Sequence, residues 1–381
     1  MSKSRTFGFW ISAALGLALA LVVGVFQVDR AARENSAMVR LVPAGLGGFS
    51  DERRFGALLV EDADAAEFFI DAIVANRPVD GDHLAQVALL GIEQGNADLA
   101  TKALTSASTR GWRNEFVQIS VLAAATQQGQ PKEAALRLDA LSRIEASDEV
   151  IFRALEALLL QPATAREIGP LVAESDFLAR SLIRYSRRTP ESAPRLAAAI
   201  RPSQNISCES ITALTLATIS QGFPDLIRIW RNRCEQSASD GRRLAMGNSE
   251  QTPFVWRFDL GAGTSGRPGT KADTFTLHNR TIVDQAAALH FLALSPGNYS
   301  FEIRVEPPAN QSFALEEASR EFVIICVNPD GRRVLSKSAF DNEAVLSFSV
   351  PPGCPIQIVQ IELGRGMLRN VSIGPIRKVS S

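Results

Sequence analysis

The amino-acid sequence predicts a multidomain chain with an N-terminal transmembrane helix, an α-helical hairpin array and a C-terminal all-β sandwich. Residues 7–28 form one nearly unbroken apolar run that contains no charge. Short apolar stripes with helical spacing follow, and an alternation of period two replaces them from Gln251 onward. The predicted domains are residues 1–28 for head and anchor, 29–50 for a linker that is flexible at residues 41–50, 51–248 for the helices and 249–381 for the β-sandwich.

The apolar run has the length of a membrane-spanning helix, which needs about 20 such residues. A cleavable signal peptide is the alternative, but its apolar core is shorter and small residues mark its cleavage site. Residues 28–33 contain no convincing site of that kind, so we predict that the anchor is retained. The short head favours a cytoplasmic N-terminus. The composition, rich in alanine and arginine, is typical of bacteria, and we predict a single-pass inner-membrane protein with a periplasmic body.

Helical spacing dominates the next region. Its first stripe repeats at i, i+3, i+4, i+7 and i+8 and runs through Ala65, Phe68, Phe69, Ala72 and Ile73. Glycine and proline separate segments of similar length, and several prolines suit the first turn of a helix. Short helices with short connections predict antiparallel hairpins.

A possible repeat unit lies within this region. Gly95 and Gly129 are 34 residues apart, and each is followed five residues later by alanine, Ala100 and Ala134. This spacing resembles two units of the tetratricopeptide repeat, without the aromatic positions of that family. The resemblance implies a solenoid that binds a peptide or a partner protein on its concave face. A helical spacer without a ligand is the alternative.

The four cysteines divide evenly between the two regions. Cys208 and Cys234 lie equally far along the arms of a predicted helical hairpin, and Cys326 and Cys354 lie in two predicted strands. We predict two disulfides and an oxidising compartment. Four buried free thiols are the alternative. Cysteine and histidine spacing gives no metal-site motif.

The C-terminal region begins with the alternating aromatic residues Phe254, Trp256 and Phe258. Glycine- and proline-containing turns separate later strand candidates, which cover residues 274–278, 286–294, 299–306, 321–328, 344–350, 356–363 and 367–373. About eight short strands with this spacing predict a β-sandwich of the jelly-roll type.

Two strings in this region resemble carbohydrate-binding sandwiches: residues 294–301, and the strand ending at Cys326 together with residues 350–357. The overall layout is similar to that of bacterial anchored proteins with tetratricopeptide repeats and a terminal sandwich, found with exopolysaccharide and envelope machinery. The resemblance implies a saccharide-binding or assembly role outside the inner membrane. Trp256, Tyr299 and Phe301 are the candidate ligand platform, and a core position is the alternative for these aromatic residues.

Composition and motifs argue against other functions. The 40 basic and 41 acidic residues are nearly balanced, whereas a nucleic-acid-binding protein needs a basic face. Residues 261–266 match G-x-G-x-x-G, but no helix is predicted after them, so we expect a flexible loop. His278 and His290 are interpreted as structural. We therefore predict no catalytic residue, no cofactor and no metal.

The functional hypothesis is a membrane-anchored exported scaffold or assembly factor in envelope polysaccharide biogenesis, whose helical array holds a protein partner while the sandwich contacts a glycan or another partner. A hydrolase that acts on glycan through the β-sandwich is one alternative, and a purely structural spacer is another.

Overall fold

The computed structural model describes residues 3–46, 48–76, 81–110, 113–234, 252–258, 260–271, 274–306 and 319–379. The chain divides into two compact units, Met1–Ala146 and Ser147–Ser381. A helical array is followed by a C-terminal β-sheet domain. The predicted boundary between them, at residues 248 and 249, lies outside the described residues.

The first unit is helical and begins with a long apolar helix, α1 (Lys3–Ala32). Its segment Ala13–Ala32 is long and apolar enough to cross a membrane, a criterion that a signal sequence near an N-terminus also meets. The later helices are α2 (Phe49–Leu58), α3 (Ala63–Asn76), α4 (Gly81–Glu93), α5 (Ala97–Ser108), α6 (Glu115–Gln127) and α7 (Pro131–Arg143).

Two consecutive hairpins, α4–α5 and α6–α7, have the same spacing. α4 begins at residue 81 and α6 at residue 115, 34 positions later, and the same interval separates the starts of α5 and α7 at residues 97 and 131. Gly95 and Gly129 have φ angles of 68° and 63° in the two turns. In the first hairpin a Cβ atom at Gly91 would lie 2.8 Å from the backbone nitrogen of Ala100. A side chain at residue 91 would therefore force the two helices apart.

The described residues of the predicted linker, 29–46 and 48–50, form a hydrogen-bonded junction between α1 and α2, although residues 41–50 were expected to be flexible. The carboxylate of Asp29, in the last turn of α1, accepts hydrogen bonds from the backbone nitrogens of Phe49 (3.1 Å) and Ser50 (3.0 Å) and from the Ser50 hydroxyl (2.6 Å). In return, Arg53 of α2 donates to the carbonyl oxygens of Ala32 (2.8 Å) and Arg33 (2.6 Å). Asp29 of α1 thus satisfies backbone amides at the start of α2, and Arg53 of α2 satisfies backbone carbonyls at the end of α1.

The glycine-rich composition suggested flexibility, but Gly48 is needed here because the chain passes very close to the Asp29 carboxylate. A Cβ atom at Gly48 would overlap the Asp29 carboxylate, so the chain can reach the carboxylate only where a side chain is missing. A 3₁₀ helix, Ser36–Leu41, occupies part of the intervening segment.

We expect Asp29→Ala to destabilise the junction by about 2 kcal/mol, because a buried carboxylate that caps a helix is lost. Hydrogen exchange of the backbone amides in residues 48–58, measured on the detergent-solubilised full chain, should accelerate accordingly. Glu34→Ala removes an exposed carboxylate from the same segment and serves as the control. Equal exchange rates in the two variants would contradict the junction.

The second unit begins with six helices and continues into the β domain, which we define as the strands between residues 252 and 379. The helices are α8 (Asp148–Leu159), α9 (Pro162–Glu174), α10 (Asp176–Arg188), α11 (Ala193–Ile200), α12 (Cys208–Ile219) and α13 (Asp225–Cys234). Cys208 and Cys234 form a disulfide with a Cα–Cα distance of 5.4 Å, which closes the α12–α13 hairpin at its open end as expected.

The strands are β1 (Arg257–Phe258), β2 (Thr264–Pro268), β3 (Phe275–Asn279), β4 (Gln285–Leu292), β5 (Gly297–Glu306), β6 (Arg320–Asn328), β7 (Gly331–Ala339), β8 (Glu343–Val350), β9 (Ile356–Leu363), β10 (Gly366–Ile373) and β11 (Arg377–Val379). One antiparallel sheet has the order β1-β4-β9-β6-β7. The other has the order β2-β3-β10-β5, with β11 beside β10 on the same edge of β5 and β8 on the opposite edge.

Both sheets contribute to one hydrophobic core. Phe275, Phe301 and Leu368 enter it from the second sheet, and Phe322 and Ile361 from the first. The Cys326–Cys354 disulfide, with a Cα–Cα distance of 5.6 Å, lies in the same core.

The α12–α13 hairpin packs directly against the β domain. The rings of Trp230 and Phe254 meet edge to face at 5.4 Å, and Arg231 donates to the carbonyl oxygen of Ala293 at 3.4 Å. Arg332 of β7 donates to the carbonyl oxygen of Ser220 at 3.4 Å. These contacts explain why the later helices belong to the same unit as the strands.

Candidate functional site

The predicted ligand platform lies inside the β domain. Trp256, Tyr299 and Phe301 are only 4%, 3% and 2% exposed. Trp256 packs against Phe275 at a centroid distance of 5.3 Å, and the Tyr299 hydroxyl donates to the Ser295 carbonyl oxygen at 2.8 Å. Because a sugar ring stacks only on an open aromatic face, the structure supports the core alternative at these three positions.

The G-x-G-x-x-G string does not open a helix either. Gly263 ends a tight turn with a φ of 90°, and β2 begins at Thr264. The Thr264 hydroxyl accepts a hydrogen bond from the Gly261 nitrogen at 3.1 Å. A dinucleotide site needs a helix N-terminus at this point, so the motif carries no cofactor here. Part of the expected flexible loop is instead the start of an ordered strand.

The structure places a groove over β2, β3 and β10, on the face of the sheet that points away from the core. Along β3, Phe275, Leu277 and Asn279 are buried while the residues between them face outward, as the pleat of a strand requires. The groove has a volume of about 320 Å³, and its lining side chains are Ser265, Arg267, Thr276, His278, Arg280 and Met367. We call it the cationic groove.

Strand register brings these side chains together from distant parts of the sequence. His278 of β3 lies opposite Ser265 of β2 and opposite Met367 of β10. Arg267 lies opposite Thr276, one outward row further along. Arg280 follows directly after β3, and its Nε approaches Nδ1 of His278 at 3.5 Å.

The charge of the groove is not neutralised. Among the described residues, no carboxylate forms an ion pair with Arg267 or Arg280. The neighbouring part of the same face is different, because Arg304 of β5 pairs with Glu302 at 3.3 Å and with Glu343 at 3.0 Å. Arg267 and Arg280 therefore present their guanidinium groups to the groove without an ion pair in the described part of the chain.

An acidic side chain does lie near the groove but is itself occupied. Hydrogen bonds from Asn370 and from Lys271 hold the pKa of Glu306 below its usual value. Lys271 approaches Glu306 at 3.1 Å. Because this carboxylate is ionised and already paired with a lysine, it leaves the charge of the groove largely uncompensated.

A second polar cluster in the β domain comprises the buried Trp256 and His290 and the partly buried Arg257. Both ring nitrogens of His290, the indole nitrogen of Trp256, and Nε and Nη2 of Arg257 lack a hydrogen-bond partner in the described part of the chain. Burial lowers the pKa of His290 to about 3 and also lowers the pKa of Arg257. Backbone groups of Phe254 and Phe291 lie close to the His290 ring and act to raise its pKa. Their effect is smaller than that of burial, because neither ring nitrogen makes a well-formed hydrogen bond.

The sequence analysis missed the groove. It predicted a flexible loop at residues 261–266, which include Ser265, and interpreted His278 as structural, whereas both residues face the groove. The available signal was the alternation in residues 264–268 and 275–279, where polar and cationic residues occupy every second position. His290 is structural in the sense expected, although its ring nitrogens are not satisfied.

Among the described residues, no group of three or more histidine, cysteine, aspartate or glutamate side chains is arranged to hold a metal ion. Comparison with known proteins gives no family model that matches this sequence, and no curated protein that is significantly similar to it. The geometry of the cationic groove is therefore the basis on which function is inferred.

Proposed function

We propose that the protein is a single-pass protein of the bacterial inner membrane whose periplasmic body acts as a scaffold in envelope polysaccharide biogenesis. The observation that carries this proposal is the open cationic groove on the β domain. It presents hydroxyl, imidazole and guanidinium groups together with the partly exposed thioether of Met367. Hydrogen-bonding groups beside an apolar side chain suit the alternating polar and apolar surface of a sugar.

The N-terminal helix and the disulfides support the proposed location. Asp29 lies directly after the apolar run and caps α2, so the end of α1 is part of the folded body, and this favours a retained anchor. Two disulfides favour an oxidising compartment such as the periplasm. The cytoplasmic position of the N-terminus follows from this arrangement.

The strand order supports assigning the β domain to the jelly-roll class. β4-β9-β6-β7 in one sheet face β3-β10-β5-β8 in the other, which is the order of a jelly roll with two Greek keys. Domains of this class include many lectins, and a polysaccharide is the corresponding ligand.

The helices of the first unit would bind the protein partner. The 34-residue interval between α4–α5 and α6–α7 favours a tetratricopeptide-like array, and such arrays bind partners on an extended face. Ile92 of α4 is half exposed although it is a large apolar residue, which makes it a suitable position to probe.

The test is crosslinking in intact cells with a photoreactive residue in place of Ile92. We expect an adduct with a subunit of the polysaccharide synthesis or export machinery. Val334, an equally exposed apolar residue on β7, is the control position and should not give that adduct. If Ile92 gives no adduct, and deletion of the protein leaves envelope polysaccharide unchanged, the scaffold proposal is wrong and a spacer role is favoured.

A further inference from the structure

We propose that the cationic groove binds an acidic polysaccharide, with the guanidinium groups of Arg267 and Arg280 paired to carboxylates of its sugar units. This inference rests on the proposed function and specifies its ligand class. It starts from the two arginines that line the groove without an ionic partner among the described residues.

The charge state of the groove favours an anionic ligand. A guanidinium group is always protonated and offers a planar pair of donors that match a carboxylate. On the same sheet face, Arg304 pairs with Glu302 and Glu343 of the chain itself. The described residues provide no such carboxylate to Arg267 or Arg280, so a ligand carboxylate would gain two new charge-assisted hydrogen bonds without displacing an ion pair among them.

The spacing of the two arginines favours a polymer over a small anion. Arg267 lies opposite Thr276, and Arg280 is four residues further along the β3 direction. At about 3.4 Å per residue the two backbone positions are therefore about 14 Å apart along the strand direction. Repeated carboxylates, as a chain of acidic sugars provides, can engage both arginines at this spacing.

The surface between the arginines is suited to the sugar rings themselves. Ser265, Thr276 and His278 provide hydrogen-bonding groups, and Met367 is 42% exposed and offers an apolar contact. Single-stranded nucleic acid, the other flexible polyanion, is bound largely by stacking on aromatic side chains. The lining of the groove contains none apart from the imidazole of His278, which favours a saccharide.

The experiment measures binding of polygalacturonate, and of dextran as the neutral polymer, to the full-length protein in detergent by isothermal titration calorimetry. We expect the wild-type protein to bind polygalacturonate with an affinity that falls as salt is raised, and to bind dextran at least tenfold more weakly. The Arg267→Gln/Arg280→Gln double variant should lose at least tenfold in affinity for polygalacturonate. Arg333→Gln, which removes an exposed arginine from β7, is the control and should bind as the wild type does.

A charge-conserving variant separates ion pairing from folding. Arg267→Lys keeps the positive charge but loses the planar donor pair, so its affinity should lie between those of the wild type and Arg267→Gln. Thermal unfolding of each variant establishes that the β domain is intact.

Equal binding by the wild type and the folded double variant, or no binding of polygalacturonate, would overturn the assignment. Equally tight binding of polyglutamate would overturn the saccharide class and favour an acidic protein segment. Preferential binding of dextran would overturn the acidic class while leaving a polysaccharide role intact. The Ile92 crosslink tests the scaffold role independently of these outcomes.

Discussion

Acidification from pH 6.5 to pH 4.5 is expected to lower the free energy of unfolding of the β domain by about 2 kcal/mol through His290 alone. Burial lowers the pKa of this imidazole to about 3, whereas an imidazole in the unfolded chain has a pKa of about 6.5. Between these values the unfolded chain binds a proton that the folded chain does not. The contribution of His290 is therefore fully present well above pH 6.5, begins to be lost as the pH falls through 6.5, and declines by about 1.4 kcal/mol per pH unit between about pH 5.5 and pH 4.

The cause of this dependence is local and can be removed. The ring of Trp256 lies 5.4 Å from His290, and the guanidinium of Arg257 also opposes a second positive charge. Urea unfolding of the full chain at several pH values should give a slope that His290→Leu abolishes between pH 6.5 and 4.5. His278→Gln, which leaves the buried ring in place, should retain the slope. An unchanged slope in His290→Leu would show that the buried imidazole is not its source.

Loss of either disulfide is expected to reduce the stability of the second unit by about 3–4 kcal/mol on the chain-entropy model. The bridged residues are 26 positions apart in Cys208–Cys234 and 28 apart in Cys326–Cys354. Each bridge therefore restricts a loop of similar size in the unfolded chain. The Cys326–Cys354 bridge also joins the end of β6 to the turn before β9 within the core.

Paired alanine variants measure each contribution separately. Urea unfolding should show a similar loss in the free energy of unfolding for Cys208→Ala/Cys234→Ala and for Cys326→Ala/Cys354→Ala. Dithiothreitol, which breaks both bridges, should lower the free energy of unfolding of the wild type further than either pair of substitutions does. The variant with all four alanines is the control, because reductant should not change it. A loss below about 1 kcal/mol for both pairs would contradict the expected contribution.

The parts of the fold that local sequence determines were predictable. The arms on either side of Gly222 place Cys208 and Cys234 at the same end, and the structure joins them. The 34-residue interval predicted from Gly95 and Gly129 is also the interval between the hairpins α4–α5 and α6–α7. Periodicity identified the strands that correspond to β1, β3–β6 and β8–β10 because it reports local conformation directly, whereas β2, β7 and β11 were not predicted.

Features that depend on tertiary contacts were not predictable in the same way. Alternation at Phe254, Trp256 and Phe258 indicated a strand but not which face would be covered, and Trp256 proved to be buried. The groove combines β2 and β3 with Met367, about 90 residues further along the chain. The capping role of Asp29 depends on the return of Phe49 and Ser50, which glycine-rich composition does not disclose.

The most direct test of the account is the state of the protein in living bacterial cells. Cells are quenched in acid, free thiols are tagged with a mass-adding maleimide, and the protein is recovered from the membrane fraction for intact mass measurement. We expect a membrane-bound chain that retains α1 and carries no tag on its four cysteines. A soluble product that begins beyond Ala32, or a chain with all four thiols tagged, would contradict an anchored body in an oxidising compartment.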